Sequence, residues 1–386
     1  MKKLIYLSVA LMMLLPSCNQ NKSAKMEVPI VDLPGSTEKV DSIKDYISEV
    51  KVVKLISDSS ALVAPSKLLL SGDKIVALSG GRVESFDKSG KYMGPIGRVG
   101  KGPGEYLHIS DICIDKTEKE LLCLNHQNEV LRYSLADGKY IGVIKTPIVG
   151  MTATAVLPGE DGGFYLFVAN PAQADMTNFS KDFNCLKRFN SKGKLEEEQL
   201  PREDYNISLG LFPATVQSAG NKYVLSYRSG DGECYEASSG KVTPYVDLSF
   251  GKEGIAPKTM VKEGTDPMEM IGDVFMADYY KCPSCVCEAS GQMYCAAFGK
   301  DSAVWNFVVD KEGGKGIRWQ SFGEAAAPMT ALASDGHYFY FVYSETGLKS
   351  PSQTNDALKK YLISKENLIL GENDNPVIVK VKFKLQ

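Results

Sequence analysis

Three histidines, His108, His126 and His337, and two tryptophans are all that 386 residues contain of these types. No two of the histidines stand at the HxxxH or HxH spacing that presents paired imidazoles to zinc from one helix or strand, so the chain offers no linear metal signature. A GxSxG nucleophile elbow is also lacking. Positive charge is not in excess: 44 Lys and Arg face 47 Asp and Glu, for a formal net charge of −3. No basic field is therefore available to draw a nucleic acid, and nucleic-acid partners are excluded. Gly97 and Gly102 have the spacing of a P-loop, but Pro103 and Gly104 stand where Lys and Ser or Thr are needed, and Pro103 has no N–H to donate. The dinucleotide fingerprint fails at Glu105, which occupies the place of its third glycine. On these grounds no catalytic residue, metal or cofactor is assigned.

What is present begins at the N-terminus. Lys2 and Lys3 precede an apolar run from Leu4 to Leu15, too short to span a bilayer of roughly 30 Å and of the kind that directs export. The run ends Leu15-Pro16-Ser17-Cys18, which resembles the lipobox of bacterial lipoproteins, where the cysteine is lipidated and becomes the new N-terminus. Residues 1–18 are thus read as a lipoprotein signal peptide, with Cys18 the membrane anchor. Asn19 and Gln20 follow without the Asp that favours inner-membrane retention, which favours the outer membrane of the cell envelope. Residues 19–40 read as a flexible tether, and 41–386 as the folded domain.

Within that domain a turn of Asp, Asn or Ser followed by Gly and Lys recurs, at Asp87–Lys91, Ala136–Lys139, Asn190–Lys194, Ser238–Lys241 and Asp310–Lys315. The first four lie about 50 residues apart, the length of a four-stranded propeller blade. Phe86, Tyr133 and Phe189 fall at equivalent positions before three of these turns and are read as packing between blades. The period divides the domain into six blades, or less favourably seven, with insertions at Gly251–Val274 and Glu345–Pro376. The second insertion carries a helix signal over Asn355–Leu362, with Asn355 placed to cap it. The alternating strand Val377–Phe383 is matched to Val50–Leu55, a pairing that closes the ring.

The succession Val83–Gly90, Ile96-Gly97, Gly100-Lys101-Gly102-Pro103-Gly104-Glu105-Tyr106 and Ile112–Asp115 resembles the six-bladed β-propeller lipoproteins of Bacteroidota, related in shape to NHL-repeat and TolB-like propellers. The resemblance is sharpest over residues 50–145 and implies an all-β fold, a six-bladed propeller of four-stranded antiparallel blades, in the envelope. It implies no reaction.

Nine cysteines are present; of the eight beyond Cys18, four cluster as Cys282, Cys285, Cys287 and Cys295. A strand through Cys285-Val286-Cys287 and a turn at Ala289–Gln292 make these buried residues or one cross-strand disulfide, in preference to zinc or redox chemistry. For function, the connection carrying Arg98, Lys101, Glu105, Tyr106 and His108 runs toward the mouth of the central channel and supplies candidate binding residues. Glu105 is read foremost as the partner of Arg98 in fixing that loop. The leading expectation is a lipid-anchored binding or scaffold protein for a glycan, peptide or envelope protein. The alternative is a metal-dependent lyase or hydrolase at the channel, for which Asp111, Asp115 and His108 are the nearest carriers.

Overall fold

The computed structural model describes residues 28–56, 65–171, 184–201, 215–226, 232–238, 240–254, 277–299, 303–312, 314–321, 330–344, 356–371 and 374–385. Apart from short helical pieces and one helix, Ala357–Lys365, the regular elements among the described residues are strands. The arrangement is all-β and propeller-like. Four sheets each contain an antiparallel meander of four strands. The first comprises Lys67–Ser71, Lys74–Ser79, Arg82–Asp87 and Tyr92–Pro95; the second Ile109–Ile114, Glu120–Asn125, Val130–Ser134 and Tyr140–Ile144. The third comprises Met151–Pro158, Phe164–Pro171, Asn184–Phe189 and Leu195–Pro201; the fourth Lys281–Ala289, Gln292–Phe298, Val304–Asp310 and Gly316–Ser321.

The expectation of six separate blades meets a more joined arrangement, because, apart from Thr37–Lys39 on the edge of the fourth sheet and the short pair Arg98–Val99 and Glu105–Tyr106, the remaining strands lie in one nine-stranded sheet. It holds the meander Thr215–Ala219, Lys222–Ser226, Glu233–Ser238 and Lys241–Ser249. It also holds Ala331–Ser334, Phe339–Tyr343 and Val377–Phe383, completed by Ile47–Lys54 from the other end of the chain. The two halves join where Thr215–Ala219 and Ala331–Ser334 pair in parallel, Ser218 against Ala333 and Ala219 against Ser334. The terminal strands pair as matched from the sequence, with Val381 opposite Val50 and Val377 opposite Lys54. Pairing the two removes the open edge of Val377–Phe383 and one edge of Ile47–Lys54, which becomes the outer strand.

The recurring turn has a simple cause. In each sheet it joins the third strand to the fourth, and where it carries Asp or Asn that side chain accepts backbone N–H groups of the turn. Asp87 Oδ1 accepts from Ser89 at 2.8 Å and Lys91 at 3.0 Å; Asn190 Oδ1 accepts from Lys192 and Lys194 at 3.0 and 3.1 Å. The side chain thus replaces ladder bonds that the reversing backbone cannot make. Phe86, Tyr133 and Phe189, just before three of these turns, are buried in the packing between sheets.

Two parts of the N-terminal region and the insertion differ from expectation. Residues 28–40, assigned to the tether, lie on the body of the protein: Ile30–Asp32 pairs in parallel with Lys241–Ser249, and Thr37–Lys39 with Gly316–Ser321. Leu33 between them is fully buried, and Arg318 donates to the carbonyls of Pro34 and Thr37. The helix in the insertion is capped by Asp356, whose carboxylate accepts the Lys359 N–H at 2.9 Å, while Asn355 lies outside the described residues. Leu358 and Leu362 are buried as their spacing requires. A hydrogen-bonded chain of buried groups, from Tyr294 through Asn306 and Ser321 to Asp356, fixes the helix start to the fourth sheet.

Candidate functional site

In an antiparallel meander the first strand begins, the second turns into the third, and the fourth ends, all at one edge. That edge of every sheet here is one face of the molecule, and there the described strands enter and leave the long connections. These connections run from Lys54 to Lys67, Pro95 to Ile109, Pro171 to Asn184, Pro201 to Thr215, Ser249 to Lys281, Ser321 to Ala331 and Tyr343 to Val377. On the opposite face no turn between strands is longer than five residues. A scaffold that holds one face to minimal turns and gives the other all its extra chain separates stability from recognition. The first is called the loop face below, the second the turn face.

On the loop face His108, at the entry to Ile109–Ile114, stacks on His126 in the turn after Glu120–Asn125, with ring centroids 4.6 Å apart and planes 13° from parallel. Both are exposed, as is Leu107 at 55%. The pair is locked on several sides. Ile109 N–H donates to the Gly81 carbonyl of the neighbouring sheet, and a Cβ on Gly81 would sit 2.1 Å from His108 Nδ1. Asn128, in the same turn as His126 and at positive φ, donates to the Met151 carbonyl and accepts from the Ala153 N–H, tying this corner to the third sheet. Exposed Val149 stands in that adjoining connection. Sequence spacing gave no sign of the His108–His126 pair, since one residue precedes a first strand and the other lies in the following turn.

The Gly-rich connection takes a different course from the one expected. After Pro95 it swings outward rather than to the axis. A Cβ on Gly97 would meet the rings of Tyr106 and Tyr133 at 2.7 and 2.9 Å, and one on Gly104 would meet Tyr140 at 2.6 Å. Tyr133 and Tyr140 lie on the two outermost strands of the second sheet, so Arg98 and Lys101, both exposed, lie at the circumference. Glu105 turns inward and accepts the Gly102 N–H at 2.8 Å; among the described ion pairs none joins it to Arg98. Tyr106 is buried. Its hydroxyl accepts the Val83 N–H and donates to the Ile96 carbonyl, its ring meets Tyr133 edge-on, and desolvation pushes its pKa up to about 12. Only the end of the connection, Leu107 and His108, reaches the loop face.

The carriers of the enzyme alternative do not converge. Asp111 is buried in an ion pair with Lys67 at 2.6 Å, and Asp115 caps the turn at the far end of its strand through Thr117, Lys119 and Glu120. At roughly 3.3 Å per residue, His108 and Asp115 lie at opposite ends of a strand that spans up to about 23 Å. Among the described residues no group of three or more His, Cys, Asp or Glu is placed to hold a metal ion.

The cysteines whose side chains are described are thiols. Cys287 and Cys295 are buried, and the two-residue turn sets Cys287 opposite Tyr294, which leaves Cys295 on the other side of the sheet. No disulfide can join them across a pleat. Cys285, at φ 54°, directs its N–H to Thr215 Oγ1 and its thiol to Thr330 Oγ1, linking innermost strands. Burial pushes all three thiols up. The side chain of Cys282, and Cys18, lie outside the described residues.

Comparison with known proteins places this architecture in context. A solved structure of a Bacteroides fragilis NCTC 9343 protein, described as exported, is 18% identical, with a TM-score of 0.70 over 92% of this chain and 100% of that one. A member of the DUF4221 family from Bacteroides vulgatus ATCC 8482 is 10% identical, with a TM-score of 0.55 over 88% of this chain and 97% of that one. At these identities the likeness is one of fold. No curated protein matches the chain. Residues 28–382, from the strap on the outer edges to the closing strand, match the family model described as a domain of unknown function (DUF4934), and the chain belongs to that family.

Proposed function

We propose that this protein is a lipid-anchored, six-bladed β-propeller of the bacterial cell envelope that binds a glycan, a peptide or an envelope protein on its loop face. The count of six takes the nine-stranded sheet as two blades joined at Ser218 and Ala333. The observation that carries the binding role is the one-sided distribution of connections: among the described strands every long one starts and ends at the loop-face edge, and the turn face has only short turns. The exposed His108–His126 pair with Leu107 supplies an aromatic and apolar platform on that face. The lipobox-like Leu15–Cys18 supports anchoring, Asn19 and Gln20 support the outer membrane, and the exported description of the Bacteroides fragilis protein supports an envelope location.

Glycan and peptide arrays probed with residues 28–386 test this. Binding that falls when Leu107, His108 and His126 are replaced together by Ser, Ala and Ala supports the reading. Turnover of a polysaccharide that a chelator abolishes, with no array binding, would replace it with the enzyme alternative.

A further inference from the structure

Each four-stranded unit ends in an outer strand, and an outer strand offers unpaired N–H and C=O groups to any extended chain. The chain itself shows what such an edge accepts. Ile30–Asp32 lies in parallel on Lys241–Ser249, and Thr37–Lys39 lies in parallel on Gly316–Ser321. Four outer strands have no added strand among the described residues, and three of them carry features that repel one. Tyr92–Pro95 starts beside the Ile56–Lys91 bridge and ends in proline; Leu195–Pro201 carries Glu196, Glu197 and Glu198; Ile47–Lys54 displays the Glu49–Lys51 ion pair. The fourth, Tyr140-Ile141-Gly142-Val143-Ile144, has neither charge nor proline.

That strand is also apolar on its exposed side. Tyr140, Ile141 and Val143 are 40%, 46% and 40% exposed; the register shifts at Ile141, which has no residue opposite it, while Gly142, Val143 and Ile144 pair regularly with Arg132, Leu131 and Val130. Its outer edge has no backbone partner among the described residues, and space around Gly142 is open. Lys139 and Lys145 flank it with side chains 81% and 79% exposed, and the loop bearing Arg98 and Lys101 packs against Tyr140 through Gly104. The surroundings are therefore cationic, although Asp137 pairs with Lys139 and Glu129 approaches Lys145. A second copy is a poor fit, since antiparallel self-pairing about Gly142 sets the lysines of one copy against those of the other.

We propose that Tyr140–Ile144 is a docking edge for an extended segment of a partner protein, apolar at alternate positions and acidic at its ends, which adds to the second sheet as a parallel fifth strand. Backbone pairing supplies the contact, Ile141 and Val143 the apolar strip, and Lys139 and Lys145 the choice of partner. The proposal rests on neither the lipid anchor nor the loop face, so it stands or fails separately from them.

The test uses residues 28–386 and a short synthetic peptide of alternating valine and threonine with glutamates at both ends. The expected result is saturable binding with slowed amide exchange over 140–144, weakened at least about tenfold in an Ile141→Ser, Val143→Ser variant whose thermal midpoint is unchanged. A peptide with lysine ends should bind more weakly than the glutamate-ended one. Absence of binding at millimolar peptide, equal binding to the variant, or protection elsewhere would overturn the proposal. Concentration-dependent dimerisation abolished by the same variant would overturn it too, by assigning the edge to a second copy.

Discussion

Lys67 Nζ lies 2.6 Å from Asp111 Oδ1, and Asp111 Oδ2 accepts the Val156 N–H at 2.8 Å, so a single buried carboxylate ties together the innermost strands of three sheets. Burial pushes the Asp111 carboxyl up, and the Lys67 ammonium opposes that shift. Removing one partner leaves the other charge buried and unmet. Asp111→Ala should therefore lower stability by about 3–5 kcal/mol, whereas replacing both by apolar residues of similar volume should cost much less. Chemical denaturation of the two single variants and the double variant measures the difference.

Gly97 sits at φ 73° with tyrosine rings where a Cβ would go, while Gly142 has open space and no such backbone constraint. Gly97→Ala should destabilise by about 1–3 kcal/mol, combining left-handed strain with displacement of Tyr106 and Tyr133. Gly142→Ala should be neutral or slightly stabilising, within roughly 0.5 kcal/mol. Thermal unfolding of the pair separates a structural glycine from an incidental one.

Burial raises the Asp356 carboxyl above its ordinary value, while Ser321 and the Lys359 N–H act to lower it. Between an unfolded value of about 4 and its higher native value, the folded protein holds more protons at this site than the unfolded chain. The site's contribution is therefore fully present at low pH and is lost as pH rises through the native value. Asp356→Asn keeps an acceptor for the helix cap and removes the titration. Denaturation midpoints across the acidic range should show the stability difference, wild type minus variant, falling as pH rises.

Closure by Val377–Phe383 against Ile47–Lys54 joins residues from the two ends of the chain. Truncation after residue 376 should leave Phe339–Tyr343 and Ile47–Lys54 without their shared neighbour and give a protein that does not fold to a cooperative state. Circular dichroism with a thermal scan reads this directly.

The strands and the closing pair were legible because alternation and turn chemistry repeat along the chain, and Asp87 and Asn190 act on nearby backbone. Features built from distant pieces were less so. Residues 30–39 have the composition of a linker, and three-residue parallel pairings along an edge leave no periodic trace. The His108–His126 stack escaped because its partners are separated by a strand pair. The opposition of Cys287 and Cys295 was available from the turn: with Ala289 opposite Gln292, counting back along both strands puts Cys295 across from Val286. The outward path of the Gly-rich loop was not, since it depends on Tyr133 and Tyr140 offering a surface in the next sheet.

The central claim, that the loop face meets a partner in the envelope while the turn face serves the fold, is tested most directly by hydroxyl-radical footprinting of the protein in isolated envelopes and after purification. The account predicts that Leu107, His108 and His126 become less reactive in the envelope, while turn-face residues such as Lys192 and Lys116 do not change. Protection confined to the turn face, or no difference between the two preparations, would contradict it.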